Sequence, residues 1–184
     1  FSSCDSLERV TLHEGLLSIK DNAFNDSPVL GNVELPATLR FMGRRVFCGN
    51  TRRTSFTLPP LLTEVPDYTC ASCDSLETVI LHDRCTRIGT CAFEIGDYWH
   101  PYNKLAHVTI PEGVTEIGNY AFNHCPLEEV NLPSTLKKIG YWAFNEGKYR
   151  RIVVPEGVEV IGERCFRSDS LRVADFPSTI RCLG

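Results

Sequence analysis

Cysteine and histidine are the residues of this chain best equipped for chemistry, nine of the first and five of the second in 184 residues. Cys70-Ala-Ser-Cys73 sets two thiols three positions apart, a spacing at which both can converge on one metal ion or close a redox disulfide. A zinc site of that kind needs a second pair, which the sequence lacks, and Cys73 also falls on a repeating column where a small buried side chain is explanation enough. His124 precedes Cys125, the two types that make a thiol nucleophile and its base. Adjacent residues on a coil point in different directions, however, and no third group orients the imidazole. A solvated histidine beside a buried cysteine accounts for the pair better. The other histidines are scattered, with His13 and His82 where other units carry proline, His107 on a variable position and His100 in an insertion.

No G-x-S-x-G elbow, H-E-x-x-H helix, phosphate-binding loop or G-x-G-x-x-G fingerprint occurs. The expectation is a protein that is not an enzyme, with no catalytic residue, no cofactor and no metal. Nine thiols cannot all pair within one chain. Cys4, Cys73 and Cys125 share one column and Cys70, Cys85 and Cys165 replace core residues, so six of the nine read as small buried side chains. Cys48, Cys91 and Cys182 occupy variable positions, and disulfides between adjacent coils stay open.

Binding chemistry is better supplied. Residues 94–104, EIGDYWHPYNK, lengthen one unit by six or seven residues and carry Tyr98, Trp99, His100 and Tyr102 around Pro101. Insertions in repeat arrays loop out on one face, and aromatic density of this kind marks interface anchors. The alternative is that Trp99 and Tyr102 fold back over a core edge. Tyr120 and Trp142 share a variable position on neighbouring units and should lie one above the other, as a second aromatic contact. Stacked units place Glu128 beside Arg150, and Glu129 between His107 and Arg151, as charge pairs that support the stack. Arg40, Arg44, Arg45, Arg52 and Arg53 cluster in a chain of net charge −4. The negative balance and the lack of a recognition motif argue against nucleic acid, leaving acidic or polysaccharide surfaces open.

The frame that positions these residues is a repeat. Units begin at Leu7, Leu30, Arg53, Leu76, Leu105, Leu127, Tyr149 and Leu171, at intervals of 23, 23, 23, 29, 22, 22 and 22 residues by subtraction. The fourth position reads Val10, Val33, Phe56, Val79, Val108, Val130, Ile152 and Ala174, and the sixth is likewise apolar, the alternation of a short strand with one buried face. Proline usually follows and ends the strand. An aliphatic column comes next (Ile19, Met42, Val65, Ile88, Ile117, Ile139, Ile161, Leu183), then Gly43, Gly89, Gly118, Gly140 and Gly162, where a tight coil needs positive φ or close backbone approach. Last is an aromatic column of Phe24, Phe47, Phe93, Phe122, Phe144 and Phe166, interrupted by Cys70, whose rings should stack as the spine of the core. A unit this short cannot bury its apolar face alone, so copies must stack. Eight units at the usual strand spacing predict a rod about 40 Å long.

VTIPEGVTEIGNYAFNHCPLEEVNLPSTLKKIGYWAF, Val108 to Phe144, resembles the BspA-type (Treponema pallidum-type) leucine-rich repeat, including its alternation of PEGV and PSTL coils. The resemblance covers essentially the whole chain and is weakest from Arg53 to Cys73. It implies a secreted or surface protein of a host-associated microbe acting in adhesion. The general leucine-rich consensus places Asn or Cys at the ninth position, where Gly113, Thr135 and Gly157 stand here, so no buried asparagine ladder is expected there.

The sequence therefore predicts one right-handed α/β leucine-rich repeat solenoid over 1–184, mostly short parallel strands with turns and short helical segments, about eight coils, cut from a longer array. Its expected role is a non-enzymatic protein-binding or adhesion module, extracellular or at the cell surface, taking a protein or glycan ligand such as a host surface or matrix. Direct membrane insertion is not expected, since no run approaches the roughly 18 to 20 apolar residues of a span. A structural spacer and an intracellular scaffold are the alternatives, the latter because many thiols suit a reducing compartment.

Overall fold

A computed structural model describes residues 1–95 and 104–184. Each aliphatic residue of the Ile column closes a two-residue strand, its side chain turned into the core in all but the last coil. These strands are β1 (Ser18–Ile19), β2 (Phe41–Met42), β4 (Glu64–Val65), β6 (Arg87–Ile88), β7 (Glu116–Ile117), β8 (Lys138–Ile139), β10 (Val160–Ile161) and β12 (Cys182–Leu183), numbered in chain order. All pair in parallel, β1 with β2 and the rest in a six-stranded sheet of order β12-β10-β8-β7-β6-β4. The register sets Ile88, Ile117, Ile139, Ile161 and Leu183 side by side.

The long sheet thus runs along the Ile column and not where the apolar alternation predicts the main strands. Among the described residues that alternating segment forms strands in only two pairs, β3 (Ser55–Thr57) with β5 (Thr78–Ile80) and β9 (Arg151–Val153) with β11 (Val173–Asp175). The whole is a β-solenoid of about seven turns, because eight unit origins enclose seven complete units.

Inside runs the predicted spine. Phe1, Phe24 and Phe47 stack at 5.8 and 5.7 Å, and Phe93, Phe122, Phe144 and Phe166 at 5.4, 5.3 and 5.7 Å between centroids. At Cys70 the column breaks, and Phe56 leans across to Phe93 at 5.8 Å and 59°.

The α/β description needs correction: there is no helix among the described residues. The position three after the Ile column is left-handed, with φ of 56° at Arg45, 59° at Tyr68, 51° at Cys91, 57° at Tyr120, 58° at Trp142 and 53° at Arg164. One such residue stops a right-handed helix. The amides here bond the next coil instead of their own: Tyr120 N donates to Tyr141 O at 2.9 Å, Phe122 N to Ala143 O at 2.8 Å and His124 N to Asn145 O at 2.9 Å. Only alternate amides do so, and those between them close isolated turns within their own coil, such as Asn123 N to Tyr120 O at 3.1 Å, so no continuous helical run forms. The glycine that most units carry two residues earlier serves close approach, not positive φ: a Cβ on Gly140 would lie under 3.0 Å from backbone atoms of Gly118 and Asn119.

The alternation of PEGV and PSTL has a mechanical reason. Glu112 accepts from Ser134 N (3.1 Å) and Ser134 Oγ (2.8 Å) on the next coil, while Gly113 N donates to Thr135 Oγ1 (3.0 Å), which in turn donates to Val114 O (2.9 Å). Gly113 holds φ 113° to aim that amide, a conformation glycine adopts at little cost. The same clasp recurs at Glu14, Gly15 and Thr38, and at Glu156, Gly157 and Thr179. Coils so joined are linked in pairs.

Candidate binding surface

Left-handed backbone three residues after the Ile column turns the side chains there toward one edge of the stack, with Cys91 the buried exception. On that edge Tyr120 and Trp142 are half-buried, Tyr141 is 39% exposed, and Arg164 is exposed. Tyr120 meets Tyr141 edge-on at 4.7 Å and Trp142 at 5.9 Å, and the Arg164 guanidinium lies 5.4 Å from the Trp142 ring. The hydrogen bond with Tyr141, with burial second, pushes the Tyr120 hydroxyl up to about 12, so it stays protonated and polar.

The predicted neighbourhood of Tyr120 and Trp142 is therefore present, joined by Tyr141 and Arg164, which sequence reasoning did not single out. Reading the same position down every unit finds Arg164, together with Arg45, Tyr68 and Cys91, as further members of that column. Arg45 lies 4.5 Å from the Tyr68 ring. Cys91, to which Tyr68 is hydrogen-bonded, raises the Tyr68 hydroxyl, and burial followed by Glu94 keeps the Cys91 thiol protonated. The edge is thus a discontinuous row of aromatic and guanidinium groups.

Tyr98, Trp99, His100 and Tyr102 lie outside the described residues. The described residues flanking them are fixed: Ile95 N donates to Asn123 O at 3.2 Å, and Lys104 Nζ bonds Glu77 Oε1 at 2.8 Å. Glu94, next to Ile95, accepts from Asn123 Nδ2 (3.0 Å), and Asn145 Nδ2 donates to Asn123 Oδ1 (2.9 Å). This is a short buried asparagine ladder, one residue after the phenylalanine and away from the consensus ninth position.

Two other groupings come apart. The five arginines diverge: Arg44 pairs with Asp67 at 3.6 Å, Arg45 covers Tyr68, Arg53 is 2% exposed, and Arg40 and Arg52 are exposed. Burial divides a cluster that looked contiguous in sequence. On the strand face Glu128, Glu129, Arg150 and Arg151 line one shallow hollow. Among the described residues, though, the stack's ion pairs are others, such as Lys138 with Glu116 at 3.2 Å and Arg151 with Asp175 at 2.8 Å. Glu129 instead accepts from Asn131 at 2.9 Å, because Asn131 reaches it along its own segment. These exposed pairs contribute little each.

All nine cysteines are free thiols, with Cys182 exposed, Cys4 and Cys48 half-buried and the rest buried. Among the described residues no three His, Cys, Asp or Glu side chains are grouped to hold a metal ion, and no helix is long and apolar enough to cross a membrane.

A family model described as BspA type leucine rich repeat region matches in six copies over residues 1–96 and 94–184. Among solved structures, a leucine-rich repeat protein from Bacteroides ovatus is similar at 24% identity over 95% of this chain and 47% of its own, with a TM-score of 0.81. The chain spans about half the length of that protein. The leucine-rich repeat protein of T. pallidum is similar at 25% identity over 67% of this chain and 70% of its own, with a TM-score of 0.58. Among the curated proteins none matches.

Proposed function

Because the chain belongs to the BspA-type leucine-rich repeat family, we propose that it is a non-enzymatic module of a secreted or cell-surface protein that adheres to a protein or glycan ligand. A stack whose coils share one core and pair their strands in parallel holds a contact surface in fixed geometry. The observation that carries the reading is the edge formed by Tyr120, Tyr141, Trp142 and Arg164, aromatic and guanidinium groups in mutual contact yet open to solvent. Groups of these types dominate binding energy at interfaces because they bury large area at small entropic cost. Tyr98, Trp99, His100 and Tyr102 are proposed as a second contact, on the chain segment that follows Ile95.

The test is binding to a panel of immobilised matrix proteins and surface glycans by the full chain and by Trp142→Ala and Tyr120→Ala. Truncating an anchor of this type costs about 2 kcal/mol, or close to thirtyfold in affinity. Unchanged affinity for a ligand that the unaltered chain binds would reject this edge as the contact and favour a spacer role.

A further inference from the structure

One coil departs from its neighbours at three buried positions at once. Arg53 stands where six other units have leucine, Phe56 where most have valine, and Cys70 where the rest have phenylalanine. The structure shows that these share one space. With no ring at position 70, Phe56 fills part of the gap toward Phe93, and the Arg53 guanidinium lies 3.8 Å from the Phe47 ring.

Arg53 is 2% exposed. Its Nη2 donates to Val33 O at 3.4 Å, while Nε and Nη1 have no hydrogen-bond partner of ordinary geometry among the described residues. None of the ion pairs among the described residues includes it. A guanidinium cannot shed its proton, and a buried cation without a counter-charge is strongly unfavourable. The acid in contact with it is Cys70, which is hydrogen-bonded to Cys73. The turn that joins them closes with Cys73 N donating to Cys70 O at 3.3 Å, and Cys73 Sγ also reaches Phe47 O at 3.1 Å.

We propose that Cys70-Ala71-Ser72-Cys73 is a thiol–disulfide exchange site, in which Arg53 holds Cys70 as the attacking sulfur, Cys73 resolves, and the reactants are small organic disulfides. The electrostatics agree. Burial opposes ionising Cys70, but the Cys73 hydrogen bond and the Arg53 charge outweigh it and hold that thiol below the usual cysteine range. Burial first, and then Cys70, push the Cys73 thiol well above it. Two identical groups are thereby split into a nucleophile and a proton-bearing partner.

In the first step the Cys70 thiolate attacks one sulfur of R–S–S–R, the S–S bond breaks, and RS⁻ leaves to take a proton from solvent. The mixed disulfide Cys70–S–S–R then meets the Cys73 sulfur, which loses its proton and displaces the second RS⁻. Two thiols are oxidised and one disulfide is reduced to two R–SH, the protons coming from Cys73 and solvent. Both cysteines are 1% exposed, so exchange proceeds through opening of this coil. Oxidation also removes the negative partner of Arg53. The reduced form is therefore favoured more than it would be with leucine at position 53.

The experiment equilibrates the full chain with graded ratios of oxidised to reduced glutathione, quenches in acid, alkylates and maps the cysteines. The result expected is a Cys70–Cys73 disulfide, a mixed disulfide trapped on Cys70 in Cys73→Ser, and an equilibrium at least tenfold more toward the disulfide in Arg53→Leu. That substitution restores the leucine of other coils, and an unchanged circular dichroism spectrum verifies its fold. If Cys70 and Cys73 stay reduced at ratios that modify Cys48 and Cys182, the proposal is overturned. Equal equilibrium constants for the unaltered chain and for Arg53→Leu overturn the role given to the guanidinium.

Discussion

Replacing Phe122 by alanine removes the ring between Phe93 and Phe144, at 5.4 and 5.3 Å, from a position with no solvent exposure. A fully buried phenylalanine truncated to alanine costs about 3 to 5 kcal/mol, through lost transfer energy and the cavity left behind. Two stacked neighbours, each worth about 0.5 to 1.5 kcal/mol beyond area, place this site toward the upper end. Relaxation is restricted as well, because the coils above and below are tied to this one through backbone bonds, such as Phe93 N to Ala121 O at 2.9 Å and Phe122 N to Ala143 O at 2.8 Å. Phe1 is the matched control, since it stacks on Phe24 alone and is 77% exposed, so Phe1→Ala should cost below about 1 kcal/mol. The assay is urea unfolding followed by circular dichroism, comparing midpoints, because a stack held by nearest-neighbour contacts need not unfold in one step. Similar small shifts for both variants would refute a continuous aromatic spine as the source of cohesion.

Two further perturbations separate close packing from local preference. Gly140→Ala drives a Cβ against backbone of the preceding coil and should lower the melting temperature markedly, whereas Gly31, where an added Cβ would meet nothing within 4 Å, should tolerate alanine; thermal unfolding distinguishes them. The clasp gives a pH signature. Bonds from Ser134, backbone first, hold the Glu112 carboxyl below its usual 4.5, so its stabilising contribution is complete above that value and is lost as pH falls through the lower folded one. Urea midpoints from about pH 6 to about pH 3 should converge for wild type and Glu112→Gln at the acid end; a constant gap would contradict the clasp.

Much of the architecture is legible in the chain because periodicity survives without coordinates. Val108, Ile110, Ile117 and Phe122 recur with the same spacing as Val130, Leu132, Ile139 and Phe144, and equal spacing on stacked coils makes neighbours of equal positions. The sequence suggests short helical segments because nothing in the side chains of Tyr120, Trp142 or Arg45 announces a left-handed backbone, a conformation usually left to glycine and asparagine. It is stabilised by amide bonds to the next coil, which are invisible in any single unit. The pairing of Tyr120 with Trp142 can be read from their shared position, which Arg164 also holds, but Tyr141, one residue before that position, joins them only through the packing of one coil on the next.

Sequence alone determined the repeat length, the columns that are buried, and the coil at which the pattern fails, since each follows from the order of apolar and polar residues. Tertiary structure decided how the failure is accommodated. Arg53, Phe56 and Cys70 look like three separate lapses along the chain, and only the packing of one coil on the next shows that a cation, a tilted ring and a thiol divide the volume of one missing phenylalanine. Volume and charge in a close-packed interior are balanced between residues that touch, and contact across coils is a property of three dimensions.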